Sequence, residues 1–74
     1  MIEGVCKWFN DKKGFGFIKA NHKEYFVHYR DIQADGYKSL REGEIVKFTP
    51  HQDDNGRPQA LNVWPRTELP ELQG

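Results

Sequence analysis

Between residues 13 and 18 the chain reads Lys13-Gly14-Phe15-Gly16-Phe17-Ile18, and eight residues later it reads Phe26-Val27-His28-Tyr29. Rings and bases recur at alternate positions. A period of two belongs to a β-strand, whose successive side chains point to opposite faces. No 3.6-residue apolar period runs long enough in this chain to make a helix. The alternation therefore predicts strands. It places Lys13, Phe15, Phe17 and Lys19 on one face of one strand, and Phe26 and His28 on one face of the next. Side by side, the two strands would display a patch of rings fringed by positive charge.

Five short strands can be read between turn signals. The first covers about Gly4–Asn10, and Asp11-Lys12-Lys13-Gly14 turns the chain into the second at about Phe15–Ala20. Asn21-His22-Lys23 is short enough for a hairpin into the third, about Tyr25–His28. A polar stretch, Tyr29–Leu40, follows, with one helical turn expected at Arg30–Gln33. Glu42-Gly43 leads to the fourth strand, about Ile45–Thr49. Asp53-Asp54-Asn55-Gly56 carries the strongest hairpin signal, an Asn-Gly pair suited to a tight turn. The fifth strand covers about Gln59–Val63. Five such strands would close on themselves to hide their edges, which predicts an all-β, five-stranded antiparallel barrel of oligonucleotide-binding type. Cys6, Ile18, Val27, Ile32, Val46, Phe48 and Val63 are expected inside. Gly14 and Gly16 lie opposite the rings, where a missing side chain lets the strand coil.

Seventy-four residues make one small domain with a thin core. The division expected is residues 1–64 as the domain and 65–74 as a loose tail bracketed by Pro65 and Pro70. The 11 basic residues balance 11 acidic ones, so the chain is no sequence-blind polycation. Their distribution is uneven, however. Lys7, Lys12, Lys13, Lys19, Lys23 and Arg30 face only Glu3, Asp11 and Glu24 within residues 1–30, so the positive field is local to the aromatic segment. Cys6 is the single cysteine, which excludes an intrachain disulfide and a cysteine metal cluster and suits a small core hydrophobe. There is no signal-peptide core, lipidation motif or 18-residue apolar run, and a soluble cytoplasmic setting without membrane contact is expected.

Rings fringed by lysines suit a single-stranded nucleic acid, with bases stacked on the rings and phosphates beside the charges. Placing Phe15, Phe17 and Phe26 in the core would force Ile18 and Val27 outward, because a one-residue slip flips every side chain. Trp8 and Phe9 cannot both face outward in a regular strand. Trp8 is expected outside and Phe9 partly buried, assisted by a bulge. Lys7 and Lys13 flank the rings and would each neutralise a phosphate. Lys12, Lys19 and Lys23 read as solvated charge. His22, His28 and His51 are scattered, with no partner at ligand spacing, so no metal or cofactor is expected. The ring of His28 serves better as a stacking surface that gains charge as pH falls towards ~6.5. No nucleophile–base pair, metal-binding carboxylate cluster or Walker-type loop is present, so neither an enzyme nor a small-molecule substrate is expected.

Three stretches together resemble a known family: Gly4-Val5-Cys6-Lys7-Trp8-Phe9-Asn10, Lys13-Gly14-Phe15-Gly16-Phe17-Ile18 and Phe26-Val27-His28. In order and spacing they are similar to the ribonucleoprotein-type motifs of bacterial cold-shock proteins. Asp35-Gly36-Tyr37-Lys38-Ser39-Leu40 resembles that family's long third loop, and Pro58-Gln59-Ala60-Leu61-Asn62-Val63 its last strand. The resemblance spans about residues 2–63. It implies a five-stranded barrel that binds single-stranded RNA and DNA, prefers pyrimidine-rich stretches, and acts as an RNA chaperone or antiterminator in cold or stress gene regulation. It implies stacking roles for Trp8, Phe15, Phe17, Phe26, His28, Tyr29 and Tyr37. It implies polar contacts along the strand from Lys7, Asn10, Lys13 and Arg57.

The chain departs from the family pattern in places. The hairpin Asn21–Glu24 is short, Tyr29 and Tyr37 stand where phenylalanine is common, and Gly56-Arg57-Pro58 replaces a basic-Gly-Pro order. Tyr25 stands at a usually aliphatic position, where it must strain or refill the core. A monomer is expected; strand exchange is the route by which a dimer would arise. The competing reading is an adaptor of the same barrel class that docks a protein or ribosomal partner through Trp64 and Leu69.

Overall fold

The computed structural model describes residues 1–33 and 39–65. Strands β1 (Ile2–Asn10), β2 (Phe15–Ala20), β3 (Lys23–His28), β4 (Ile45–Gln52) and β5 (Pro58–Pro65) close into a barrel in the order β1-β2-β3-β5-β4. A 3₁₀ turn at Tyr29–Asp31 follows β3, starting one residue and ending two residues before the expected Arg30–Gln33. β1 starts two residues before its expected Gly4, and β4 and β5 also run longer than the apolar runs suggest. The added residues of β4 and β5 pair with each other, up to Gln52↔Pro58 and Val46↔Pro65, whereas β1 is long because it serves two neighbours. Its first half pairs with β4 (Ile2↔Phe48 to Val5↔Ile45) and its second half with β2 (Val5↔Lys19 to Asn10↔Phe15).

All seven residues expected inside are buried: Cys6, Ile18, Val27, Ile32, Val46, Phe48 and Val63. Ala20, Tyr25, Leu40 and Ala60 join them. Tyr25 refills the core: it is 7% exposed, and its ring centroid lies 5.0 Å from that of Phe48. Cys6 is sealed in, and burial, reinforced by Glu44 and Glu42, pushes its thiol up to about 11. The thiol stays protonated at neutral pH and is a packing group, since the thiolate is the nucleophile.

Antiparallel pairing holds everywhere except at the seam where β3 meets β5. That contact is parallel and consists of the single pair Phe26↔Gln59, extended by a parallel bridge Ile32↔Val63. Strand alternation reads faces but carries no information about which non-consecutive strands meet.

The turns also differ in detail. Asn21 (φ 51°) and His22 (φ 66°) both adopt left-handed backbone between Ala20 and Lys23, which are directly paired. This is the two-residue hairpin whose twist suits flanking strands. The Asn55-Gly56 pair sits instead in a five-residue connection between the paired Gln52 and Pro58, and there only Gly56 has positive φ (80°). Asp53 staples that loop, its Oδ1 accepting from the N–H groups of Asn55 and Arg57, each at 2.9 Å.

Candidate nucleic-acid interface

The β1–β2 register shifts between Cys6 and Trp8. This bulge lets Cys6 face inward and Lys7 and Trp8 both face out, while Phe9 turns back against the core. Trp8 therefore lies beside Phe17, its direct partner on β2. On the other side of β2, Phe15 pairs with His28 and Phe17 with Phe26. Four rings result in one contiguous cluster. Trp8 lies 5.9 Å from Phe15 and 5.4 Å from Phe17; Phe26 lies 5.7 Å from Phe15 and 5.8 Å from Phe17. All four are tilted or edge-on, an arrangement aromatic quadrupoles favour. None is buried, and Trp8 is 40% exposed.

Gly16 makes this closeness achievable. A Cβ there would lie 2.2 Å from the Trp8 carbonyl oxygen and 2.7 Å from Phe9 Cα. Gly14, with φ 78°, leaves the space that the Tyr29 ring fills. The Tyr29 N–H donates to the Gly14 carbonyl at 2.8 Å, and its ring, 49% exposed, lies 4.6 Å from that of His28. His28 Nδ1 accepts from the Arg30 N–H at 3.3 Å, so in the neutral ring the proton resides on Nε2. Two more rings thus continue the cluster at the 3₁₀ turn. Tyr37, expected to extend it, lies outside the described residues.

The polar residues are less uniform. Asn10 spends its side-chain oxygen on the Lys13 N–H (2.9 Å), which braces the β1–β2 turn. Lys13 is exposed in that turn rather than in β2, so strand alternation does not govern its direction. Ser39 donates to Asp11 and ties the far end of the long loop to the same turn. The backbone of Arg57 is held by Asp53, and its side chain borders a hollow of about 340 Å³ with Phe17, Glu24, Phe26, Asp53 and Pro58. Trp64, half of the adaptor reading's docking pair, is a half-buried residue of β5 opposite Lys47; Leu69 lies outside the described residues.

Lys7 is engaged. Its Nζ lies 2.6 Å from Glu24 Oε2. Sequence reasoning misses Glu24, because the two residues are 17 apart and meet only once the bulge sets the register. The Lys7 hydrogen bond and charge hold the Glu24 carboxyl below its usual range. What the pair adds is present above the ordinary carboxylate value and is lost as pH falls through the lowered one. With side chains 50% and 47% exposed, it adds little to stability. A phosphate brought to Lys7 would have to compete with Glu24. Glu24→Gln is expected to tighten binding of single-stranded DNA about twofold to fivefold at low salt; unchanged or weaker affinity in a titration would show that Lys7 does not meet phosphate.

Among the described residues no group of three or more His, Cys, Asp or Glu could hold a metal ion, and no helix is long and apolar enough to cross a membrane. A small closed barrel with its aromatic patch on the β2–β3 face, flanked by the β1–β2 and β4–β5 connections, defines an oligonucleotide-binding-fold protein.

The chain belongs to the cold-shock domain family: the family model described as the 'Cold-shock' DNA-binding domain matches residues 2–66. It is similar to Cold shock protein CspA of Staphylococcus aureus (strain USA300), 52% identical over 64 residues that cover 85% of this chain and 96% of the relative. The CspA of Staphylococcus haemolyticus (strain JCSC1435) matches to the same extent. Cold shock protein 2 of Lactiplantibacillus plantarum is 49% identical over 67 residues, covering 89% of this chain and all of the relative. Membership makes this chain a nucleic-acid-binding, non-enzymatic protein.

Proposed function

We propose that this chain binds single-stranded RNA and single-stranded DNA, with a preference for pyrimidine-rich stretches, in the cytoplasm and as a monomer. The observation that supports this most is the four-ring cluster of Trp8, Phe15, Phe17 and Phe26, displayed outward from a complete core. Bases stack on these rings and on His28, Tyr29 and Tyr37. Lys7, Lys13 and Arg57 meet phosphates, and the Asn10 amide adds a polar contact.

The energetics points to a chaperone that traps, with antitermination as one outcome. Stacking is worth ~1–3 kcal/mol per base, and ordering the strand returns part of it. A duplex step is worth ~1.4 kcal/mol on average. One protein does not open a long duplex. Several, at high concentration, bias weak hairpins toward the open form because they bind only that form. No nucleotide fuel enters the scheme.

Tryptophan fluorescence tests the reading. Titration with oligo-dT of about 7 nucleotides is expected to quench Trp8, more tightly than oligo-dA and less at higher salt. No quenching by either oligomer would turn attention to the adaptor reading.

A further inference from the structure

Two hollows flank the seam between β3 and β5. The first is the platform-edge hollow that holds Phe17, Phe26 and Arg57. The second, about 410 Å³, is lined by Lys23, Tyr25, Pro50, His51, Gln52 and Pro58. Pro58 borders both, and Lys23 and Glu24 are consecutive, so one hollow leads into the other around the start of β5. The second hollow exists because the seam is short. β3 meets β5 only at Phe26↔Gln59, so Lys23–Tyr25 have β2 on one side and no strand on the other among the described residues. β4 meanwhile runs on to Gln52, and the wall splays open.

The chemistry of the two differs. The first hollow holds two carboxylates and one guanidinium. The second holds a lysine, a histidine, a carboxamide and a phenol, and no acid. Tyr25 anchors it: the ring packs on Phe48 in the core, yet no side-chain polar atom among the described residues is left buried without a partner. Its hydroxyl makes no hydrogen bond among them, so it opens on the hollow. Lys23, His51 and Gln52 are exposed around it. Donors without a competing carboxylate suit the phosphates and sugars of a nucleic-acid backbone. The hydroxyl departs from the family pattern, since Tyr25 stands where the resemblance expects an aliphatic residue.

We propose that this second hollow is an additional nucleotide subsite, in which Lys23, Tyr25 and His51 hold the backbone of a strand that continues off the ring platform past Pro58. The inference rests on the single-strand reading of the platform. The full chain and a Lys23→Gln/Tyr25→Phe variant would be titrated with oligo-dT of about 6 and about 12 nucleotides, at several salt concentrations. Phenylalanine keeps the ring in the core, and Lys23→Gln alone, at an exposed position, serves if the double variant does not fold. The variant is expected to bind the short oligomer as the wild type does. It should bind the long one about tenfold more weakly, with a salt slope shallower by about 0.7 for each phosphate it no longer neutralises. A long-to-short affinity ratio and slope equal to the wild type's would overturn the subsite. Failure of the wild type to bind either length would instead overturn the platform reading, and the subsite with it.

Discussion

Replacing Phe15 and Phe17 together by alanine is expected to leave a folded barrel that no longer holds its ligand. Both rings project from β2 on the face opposite Gly16 and Ile18, and the buried set behind them is complete without them. The cost in stability falls on partial burial and on four surface ring–ring contacts, ~0.5–1.5 kcal/mol each, so affinity is compared only over the fraction that the denaturation curve shows to be folded. The cost in binding is larger, because the two rings form the centre of the cluster and each touches both Trp8 and Phe26. At ~1–3 kcal/mol per stacked base, the loss of two stacks weakens affinity roughly 30-fold to 25,000-fold. Trp8 survives as the reporter. Circular dichroism and a denaturation curve establish that the variant folds; quenching by oligo-dT at wild-type affinity would show that the rings are not the contact surface.

Gly16→Ala should do the reverse and strike the barrel itself. The substitution adds one methyl group, but at a place with no room. The obstacles are the Trp8 carbonyl oxygen and Phe9 Cα, and backbone atoms cannot rotate aside as a flexible side chain would. β1 would have to move off β2, breaking the pairs Trp8↔Phe17 and Phe9↔Gly16. Overpacking of this kind costs about 3 kcal/mol or more. A domain this small has about 3–5 kcal/mol in all, so the variant is expected to lose most of its stability and to be partly unfolded at 25 °C. Urea denaturation decides it: a midpoint matching the wild type would mean that β1 and β2 do not approach as closely as described.

Strand alternation made most of the barrel legible. Ile18 and Val27 fixed the inward phase of β2 and β3, and the outward phase of Phe15, Phe17 and Phe26 followed without further assumption. The expected placement of Trp8 outside and Phe9 partly buried, with a bulge assisting, also holds. What stayed hidden depends on non-local geometry. Leu40 lies outside any strand, so no period marks it as core. Tyr25 has the right phase but the wrong size for its position, and only its packing against the Phe48 ring resolves that. The parallel contact of β3 with β5 joins segments more than thirty residues apart. The Lys7–Glu24 pair needs the bulge before it can form. The hairpin at Asn21-His22 lacks the glycine that usually announces a positive-φ pair, and asparagine and histidine tolerate that region better than most residues.

The ring platform and the core are distributed along the chain in opposite ways. Every described ring of the platform falls between Trp8 and Tyr29, on one β1–β2–β3 meander, whereas the buried cluster runs from Cys6 to Val63. The described rings are therefore written in one contiguous block, and durability is written across the whole chain. Exchanges in the cores of β4 and β5 reach the platform only by altering how much of the protein is folded. Such a chain can be retuned for a warmer or colder setting through the buried positions of its second half while the ring platform in the first half is left unchanged.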